Sequence, residues 1–456
     1  MTPSRDAGSE GEPIGRQFLL PPLAEREAPA ILFGESEPWS WSRLLAAAAA
    51  AEAEFDTFTG ARVGLAMRPT GPCVAYLEAL ARLGADVYLL DARLNSSTLA
   101  ALAERFDLVS IVGGDAPALR RECASGRASA DTGSLTILTS GTTGTPKAAR
   151  HTWEGLRRPT RSGVGPRTWM LAYRPNLYAG LQVIIQCLSE GGCLVAVDDG
   201  ADANTIIDTM IVRGVRCISA TPSWWRRLLI FGDRERFAAA PLDQITLGGE
   251  VADQDVLDAL RSAHPGARIV HIYATTELGS CFSVTDGKEG FPVSFLERPS
   301  ANGVELRVVD GELHVRSSNA MSGYVGNSPV AFQPGAWFPT GDLVNVRGDR
   351  YVFVGRRSDL INVGGNKVSP IAVERVVREA PGVLDARVFG RRSGIAGQIV
   401  TCEVVVGDAE SPDDVIERVR RRCLASLASH ERPRLVRVVD RIGVTDAGKT
   451  SRGVSE

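Results

Sequence analysis

The feature that most limits the fold of this chain is a repeated alternation of short apolar runs with longer amphipathic stretches. ARVGLAM (61–67) and ADVYLLD (85–91) are typical of buried strands, and PCVAYLEALARLG (72–84) between them is typical of a helix. Similar pairs continue as far as RIVHIYATTE (268–277). Strand, helix and strand in this order predict an α/β fold whose sheets are largely parallel.

The pattern changes after about residue 300, and this change suggests how the chain is divided. Short strands separated by turn residues, such as those in GVELRVVDGELHVRSS (303–318), indicate an antiparallel β subdomain. Helix, strand, strand, helix and strand then follow from residue 370. We expect a disordered tail (1–15), a large N-terminal domain of mixed, largely parallel sheets with helices plus the β subdomain (16–355), and a small mobile α+β C-terminal domain (356–456). A short hinge is expected at 355–359.

Charge and cysteine usage narrow the function classes. The formal net charge is −3 and both signs are interspersed, so neither a nucleic-acid nor a membrane partner is expected. The basic run RVRRR (418–422) is interpreted as a solvated helix face. Eight cysteines without a C-x-x-C pair, and no apolar run that approaches membrane-spanning length, favour a soluble cytoplasmic protein with reduced thiols.

The segment LTILTSGTTGTPKAA (135–149) has the composition of a phosphate-binding loop. An apolar strand ends in glycines and hydroxyls, whose backbone N–H groups can converge on an anion, and a lysine adds charge. The Walker pattern does not fit, because Pro146 and Lys147 are followed by Ala148. The alternative is a surface loop with a solvated lysine. The candidate phosphate ligands are Thr139, Ser140, Gly141, Thr142, Thr143, Gly144 and Lys147.

Five motifs in one order carry a family resemblance. They are TSGTTGTPK (139–147), YATTE (273–277), TGD (340–342), GRRSDLINVGGNKVSP (355–370) and GKTSR (448–452). This set resembles the adenylate-forming superfamily, which includes acyl- and aryl-CoA ligases, the adenylation domains of nonribosomal peptide synthetases, and luciferases. The resemblance covers nearly the whole chain. It implies ATP and Mg²⁺ as cofactors and CoA as the co-substrate.

The resemblance implies specific roles for several residues. Lys449 would bridge the attacking carboxylate and the α-phosphate, Thr276 would contact the α-phosphate, and Glu277 would hold Mg²⁺. Asp342 would accept the ribose hydroxyls with support from Arg356. The sequence alone also allows Glu277 to be a helix N-terminal carboxylate.

The same resemblance implies further nucleotide contacts. Gly248 and Gly249 would let the backbone approach the adenine ring closely, because they carry no Cβ. Tyr273 would stack on adenine, although a core tyrosine at a strand end is an equal alternative. Other expected nucleotide contacts are Glu250, Ala274, Thr275 and Lys367.

The stretch MLAYRPNLYAGLQV (170–183) is similar to the region where many CoA ligases carry a histidine beside the acyl pocket, and Asn176 occupies that place. No aspartate lies between positions 170 and 186, which argues against an ordinary α-amino acid as substrate. Arg174 could bind an anionic or hydroxylated substrate, but an arginine whose charged end reaches solvent at the pocket mouth is the favoured interpretation. The predicted pocket residues are Arg174, Asn176, Tyr178, Gly180 and Phe282.

These observations predict an ATP-dependent ligase that adenylates a small acid and passes the acyl group to a thiol, with CoA as the favoured acceptor. Aryl or short acids are favoured. Three alternatives stay open: delivery to a separate carrier protein, activation of nitrite to diazotise an aryl amine in a natural-product pathway, and a nucleotide-binding protein without catalysis. The sequence does not define the oligomeric state.

Overall fold

The computed structural model of the chain describes residues 28–33, 37–113, 119–120, 133–139, 146–160, 165–297, 299–300, 303–326, 332–394, 397–407, 409–445 and 448–452. The expected tail (1–15) and the predicted phosphate ligands Ser140, Gly141, Thr142, Thr143 and Gly144 lie outside these residues.

The helices of the described residues are α1 Trp41–Glu54, α2 Gly71–Arg82, α3 Ser96–Arg105, α4 Trp153–Arg157, α5 Tyr178–Ser189, α6 Ala203–Val212, α7 Pro222–Phe231, α8 Arg234–Ala239, α9 Gln254–Ala263, α10 Pro370–Arg378 and α11 Pro412–Ser426. The strands are β1 Pro29–Phe33, β2 Trp39–Ser40, β3 Arg62–Met67, β4 Asp86–Asp91, β5 Ser110–Gly113, β6 Leu119–Arg120, β7 Ser134–Thr139, β8 Lys147–Thr152, β9 Thr168–Leu171, β10 Cys193–Ala196, β11 Cys217–Ala220, β12 Gln244–Gly248, β13 Arg268–Thr275, β14 Gly279–Val284, β15 Phe291–Pro292, β16 Val304–Val309, β17 Glu312–Ser317, β18 Gly323–Tyr324, β19 Phe338–Arg347, β20 Arg350–Arg356, β21 Ile361–Val363, β22 Asn366–Val368, β23 Val383–Ser393, β24 Gly397–Val406 and β25 Leu435–Val438.

The large domain contains two mixed sheets. The first has the strand order β14-β13-β12-β11-β9-β10-β1-β2, and its strands from β13 to β1 are mutually parallel. The second has the order β18-β8-β7-β4-β3-β5-β6, with β7, β4, β3 and β5 parallel. The sequence predicts mixed, largely parallel sheets: five of the seven strand pairings are parallel in the first sheet, and three of the six in the second. It does not predict how the strands divide between them, because strand pairing depends on contacts between distant segments.

The β subdomain and the small domain each contain one further sheet. The subdomain sheet is antiparallel, in the order β15-β20-β19-β17-β16. The small domain has the order β22-β21-β24-β23, with β25 parallel to β24. The predicted fold class is therefore confirmed: a large mixed α/β domain with a β subdomain, and a small α+β domain. The exact boundary between residues 355 and 356, and the mobility of the small domain, stay predictions.

Apolar side chains fill the interior of each layer. Leu65 and Leu89 of the second sheet pack with Trp41 of α1 and Leu77 of α2, all at 0% exposure. The small domain has its own core, in which valines of α10, β23, β24 and α11 meet. The cysteines of the described residues are free thiols. Among these residues, no helix combines the length and apolar character needed to cross a membrane.

Candidate active site

The candidate site lies at the carboxyl ends of the parallel strands β11, β12 and β13, an edge where α/β sheets commonly bind ligands. Gly248 and Gly249 end β12, and the hydroxyl of Tyr173 donates to the carbonyl oxygen of Gly248 at 3.1 Å. Gly249 has a φ of +82°, and a Cβ there would lie 3.3 Å from Cε of Lys449. This turn therefore favours glycine for its backbone conformation, and a larger residue would also displace the end of the Lys449 side chain slightly.

Asp342 on β19 is the centre of a second group of contacts. Its Oδ1 accepts a hydrogen bond from Nε of Arg356 at 2.8 Å, and its Oδ2 accepts one from the Tyr273 hydroxyl at 2.5 Å. The Asp342 charge raises the pKa of Arg356, although burial acts against it. Each carboxylate oxygen has two lone pairs, so Asp342 can still accept two further hydroxyl groups.

Lys147 and Glu277 are linked through Tyr324. Lys147 begins β8 opposite Thr139, the last residue of β7, so the predicted phosphate loop connects two antiparallel strands. The Lys147 Nζ lies 5.8 Å from the ring centroid of Tyr324, whose hydroxyl donates to Oε1 of Glu277 at 2.9 Å. Burial and the Glu277 charge raise the pKa of Tyr324, which therefore stays a neutral donor.

Lys449 comes from the small domain and enters the same site. Burial lowers its pKa below the ordinary lysine value and Arg356 adds to this, whereas the charges of Glu250, Asp342 and Glu277 act in the opposite direction. The protein thus brings a partly desolvated ammonium group close to carboxylates of the large domain. The motifs containing Lys449, Glu277 and Asp342 are far apart in sequence, and the fold brings them together.

The strand leading to Glu277 lies beside a buried histidine. A β-bulge separates Tyr273 from Ala274 on β13, and the side chain of Thr275 accepts a hydrogen bond from the backbone N–H of Leu278 at 3.1 Å. The His151 imidazole on β8 is buried, and the backbone of Thr276 partly offsets the effect of this burial on its pKa. Burial lowers the pKa of His151 to about 4, so this side chain is neutral near pH 7.

The residues predicted to line the acid pocket surround the first turn of α5. Asn176 and Tyr178 are buried, at 8% and 6% exposure. Gly180 is required by packing, since a Cβ there would lie 2.0 Å from the carbonyl oxygen of Arg174. Nη1 of Arg174 lies 3.4 Å from a carboxylate oxygen of Asp91, and this pairing favours a structural role for the arginine over binding of the acid.

The surroundings of Phe282 are apolar, and its place in the acid pocket stays a prediction. Phe282 is buried in an aromatic cluster of the β subdomain, where its ring centroid lies 4.8 Å from that of Phe291. Tyr273 joins this cluster and is nearly parallel to both Phe282 and Phe353. The alternation along β14 turns Phe282 towards the core, where a large apolar ring is most stable. Stacking of adenine on Tyr273 stays a prediction.

Two residues that the sequence analysis expects to contact the nucleotide, Lys367 and Glu250, have their own positions and contacts within the protein. Lys367 is exposed on the β21–β22 hairpin of the small domain, opposite Asn362. The Glu250 carboxylate binds Ser223 and the backbone of Thr450, and both of its oxygens are used in these contacts. Both Glu250 oxygens have protein partners in this structure, and its predicted contact with the nucleotide stays a prediction.

Sequence reasoning missed several residues of this site. Thr221 and Ser223 follow β11 in the run ATPSWW (220–225), and Thr221 accepts from the backbone N–H of Trp224 as the N-cap of α7. A threonine followed by proline after an apolar strand is a recognisable helix start, so the N-cap could have been found. Their contacts with the C-terminal hairpin, more than 200 residues away, could not.

Comparison with known proteins agrees with this geometry. Residues 115–325 match the family described as AMP-binding enzyme, and residues 372–449 match the AMP-binding enzyme C-terminal domain. A probable 2-succinylbenzoate–CoA ligase of Mycobacterium tuberculosis is 31% identical over 332 residues, which are 70% of this chain and 82% of the relative.

Two solved structures are similar over nearly the whole chain. ATP-bound MatB from Rhodopseudomonas palustris has a TM-score of 0.75 at 20% identity, covering 94% of this chain and 95% of that one. The anthranilate CoA ligase AuaEII, in complex with anthranoyl-AMP, has a TM-score of 0.75 at 20% identity and covers 93% of both chains.

The chain therefore belongs to the adenylate-forming superfamily of AMP-binding enzymes and is similar to its acyl- and aryl-CoA ligases. Within that superfamily it is an AMP-forming acid–thiol ligase.

Proposed function

We propose that this enzyme uses ATP to adenylate a small aryl or short-chain carboxylic acid and then transfers the acyl group to the thiol of CoA. The convergence of Lys449 with Asp342, Glu277 and Arg356 is the observation that carries the proposal. A carboxylate and a triphosphate repel each other, so a site that joins them needs cationic groups directed at the reacting atoms.

In the first half-reaction, a carboxylate oxygen of the acid attacks the α-phosphorus of ATP. The bond to the bridging oxygen of the β-phosphate breaks, and pyrophosphate leaves. Lys449 donates hydrogen bonds to the α-phosphate and to the attacking carboxylate, and Thr276 contacts the same phosphate. Asp342 accepts the ribose hydroxyls with its remaining lone pairs, and Arg356 holds its carboxylate in place.

Lys147 and Glu277 serve the triphosphate. Lys147, Thr139 and the intervening loop bind the β- and γ-phosphates. Glu277 is suited to Mg²⁺, because this hard cation is usually held by one or two carboxylates together with substrate phosphates. When bound, the ion would neutralise charge on the phosphate oxygens. Tyr324 donates to one Glu277 oxygen and thereby orients the carboxylate.

In the second half-reaction, a thiol attacks the carbonyl carbon of the acyl-adenylate and AMP leaves. Relatives named as CoA ligases support CoA as the acceptor. Several of them are named for aromatic acids, which supports an aryl acid as substrate. The missing aspartate between positions 170 and 186 argues against an amino acid.

The first experiment is a pyrophosphate-release assay with Mg-ATP. Benzoate, 2-succinylbenzoate, anthranilate, short fatty acids, amino acids and nitrite would be compared, each with and without CoA. Release with an aromatic or short acid, and a thioester only when CoA is present, is the expected result. An adenylate that forms but ignores CoA would instead identify a carrier-protein ligase, and release with nitrite plus an aryl amine would identify diazotisation.

Lys449→Ala tests the mechanism itself. We expect pyrophosphate release to fall on the order of 100- to 1000-fold, the usual loss when one preorganised donor to a transition-state charge is removed. Thioester formation from supplied acyl-adenylate should change little, because that step does not use the α-phosphate bridge. Unchanged pyrophosphate release in this variant would contradict the assigned role of Lys449.

A further inference from the structure

Glu250, directly after the glycine turn of β12, connects the two domains. Its Oε2 accepts hydrogen bonds from the backbone N–H of Ser223 at 3.0 Å and from the Ser223 hydroxyl at 2.6 Å. Its Oε1 accepts the backbone N–H of Thr450 at 2.5 Å. One carboxylate thus binds the start of α7 in the large domain and the residue next to Lys449 in the small domain.

A second contact binds Gly448, the residue before Lys449. The hydroxyl of Thr221, at the end of β11, donates to the carbonyl oxygen of Gly448 at 2.9 Å. The hydroxyls of Ser223 and Thr450 are also 2.9 Å apart. Both neighbours of Lys449 are therefore bound to the carboxyl ends of the parallel strands that form the candidate site.

The segment that carries Lys449 is also attached firmly to the small domain. Val444 and Thr450 form a β-bridge, and the carbonyl oxygen of Lys449 accepts the backbone N–H of Thr445 at 2.7 Å. Arg452 binds both oxygens of the buried Glu374 on α10, at 3.0 and 2.7 Å. The Lys449 segment therefore moves with the small domain, and its contacts with Glu250 and Thr221 form only in this orientation of the two domains.

These contacts matter because lysine has a long and flexible side chain. Four rotatable bonds separate its ammonium group from the backbone, so the position of the Cα decides what the group can reach. Hydrogen bonds to an ionised acceptor are stronger than those between neutral groups, and those from Thr450 and Ser223 to Glu250 are of this kind. Because residues 448 and 450 are fixed, Lys449 has already lost much of its conformational entropy before the reaction begins.

We propose that Glu250 is a positioning residue: together with Thr221 and Ser223, it holds the Lys449 segment in the orientation that adenylates the acid. The proposal deepens the proposed function and rests on it. Glu250 therefore acts through Lys449 and only in the first half-reaction. The same contacts have to open before the small domain can take any other orientation.

Glu250→Gln is the first test, because the amide keeps the size of the side chain but loses its charge and one acceptor. Using the most active acid of the panel above, ATP–pyrophosphate exchange should fall on the order of 10- to 100-fold. Thioester formation from supplied acyl-adenylate should stay within about twofold of wild type. A general loss of structure would slow both half-reactions and would not produce this difference between them. The matched control is Glu305→Gln, because Glu305 pairs with Arg316 inside the β subdomain and is expected to change neither rate.

A cysteine pair, Ser223→Cys with Thr450→Cys, tests the same contact, and its cross-linking rate can be measured without knowing the acid. The two hydroxyl oxygens lie 2.9 Å apart, so the side chains at 223 and 450 face each other across the domain contact, as a cross-linking pair of cysteines requires. The oxidised protein should keep ATP–pyrophosphate exchange and lose thioester formation, and a reductant should restore it. Each single-cysteine variant is the control. In the double-cysteine protein, adding Glu250→Gln should slow cross-linking about tenfold.

The outcomes separate the two proposals. If wild type exchanges pyrophosphate and Glu250→Gln leaves the exchange unchanged or slows both half-reactions equally, the positioning role is wrong while the proposed function stands. If wild type shows no exchange with any acid of the panel, the proposed function fails. The cross-linking rates then decide about Glu250 alone: an unchanged rate in Glu250→Gln would overturn its role in holding the segment.

Discussion

The interior of the sheets and the contact between the two domains are stabilised by different interactions. The sheets are held by apolar side chains, such as Leu89 in the large domain and Val388 in the small one. The domain contact contains charged groups: Arg378 of α10 binds Asp253 at 3.0 Å, and Arg375 binds Glu289 at 2.6 Å.

This difference indicates which parts of the molecule can separate. Exposing a packed apolar side chain to water costs about 1.5–3 kcal/mol, and water forms no hydrogen bonds with the side chain that could offset this cost. Separated arginine and carboxylate groups recover most of their interaction energy by hydration, so an ionic contact opens at a smaller net cost. A contact with this composition is consistent with the predicted mobility of the small domain.

The largest effect is expected when an apolar core is broken. Leu89 is fully buried on β4, and Leu89→Ala should lower the free energy of unfolding by about 2–5 kcal/mol, since it removes buried methyl groups and leaves a cavity. Urea unfolding monitored by circular dichroism measures this. Leu424→Ala, at an exposed site on α11 (62% exposure), is the control and should stay within about 0.5 kcal/mol. Equal losses in the two variants would contradict the comparison.

The protonation of His151 should lower the free energy of unfolding by up to about 3 kcal/mol at acidic pH. Burial lowers the pKa of this side chain from 6.5 to about 4. The unfolded chain binds this proton below pH 6.5 and the folded protein does not, so this contribution is fully present above pH 6.5 and is lost as the pH falls towards 4. Urea unfolding of wild type and His151→Gln between pH 4 and 7 measures it. The difference between the two proteins should depend on pH only in this window, and a constant difference would contradict the assignment.

The smallest effect should come from one charge at the domain contact. Arg378→Met removes the bond to Asp253 but keeps much of the apolar part of the side chain, and Arg226 still binds Asp253. We expect domain docking to weaken by about 1–2 kcal/mol, because one charged hydrogen bond is lost, while the unfolding transition of the large domain stays unchanged. Cross-linking between cysteines at 223 and 450 reports docking. Arg421 forms an exposed ion pair within α11, so Arg421→Met is the control and should leave the cross-linking rate unchanged.

Much of the fold could be predicted from the sequence, because apolar runs such as 85–91 mark buried strands directly. The convergence of Lys449, Asp342 and Glu277 followed from the motifs and their resemblance to a known family. Neither source could locate Thr221, Ser223 or His151 in the site, since their contacts join segments that are distant in the chain. Whether Phe282 lines the acid pocket stays a prediction, because the spacing of aromatic residues alone does not tell which face of β14 points to the core.

The paired charges at the domain contact also have a consequence for protein engineering. A small domain taken from a relative would be compatible with this large domain only if it offers cationic groups opposite Asp253 and Glu289 and a free backbone N–H opposite Glu250. These three contacts would thus determine which large and small domains can be combined in a chimeric enzyme. Rewriting both sides of one pair together should therefore change which large and small halves prefer each other.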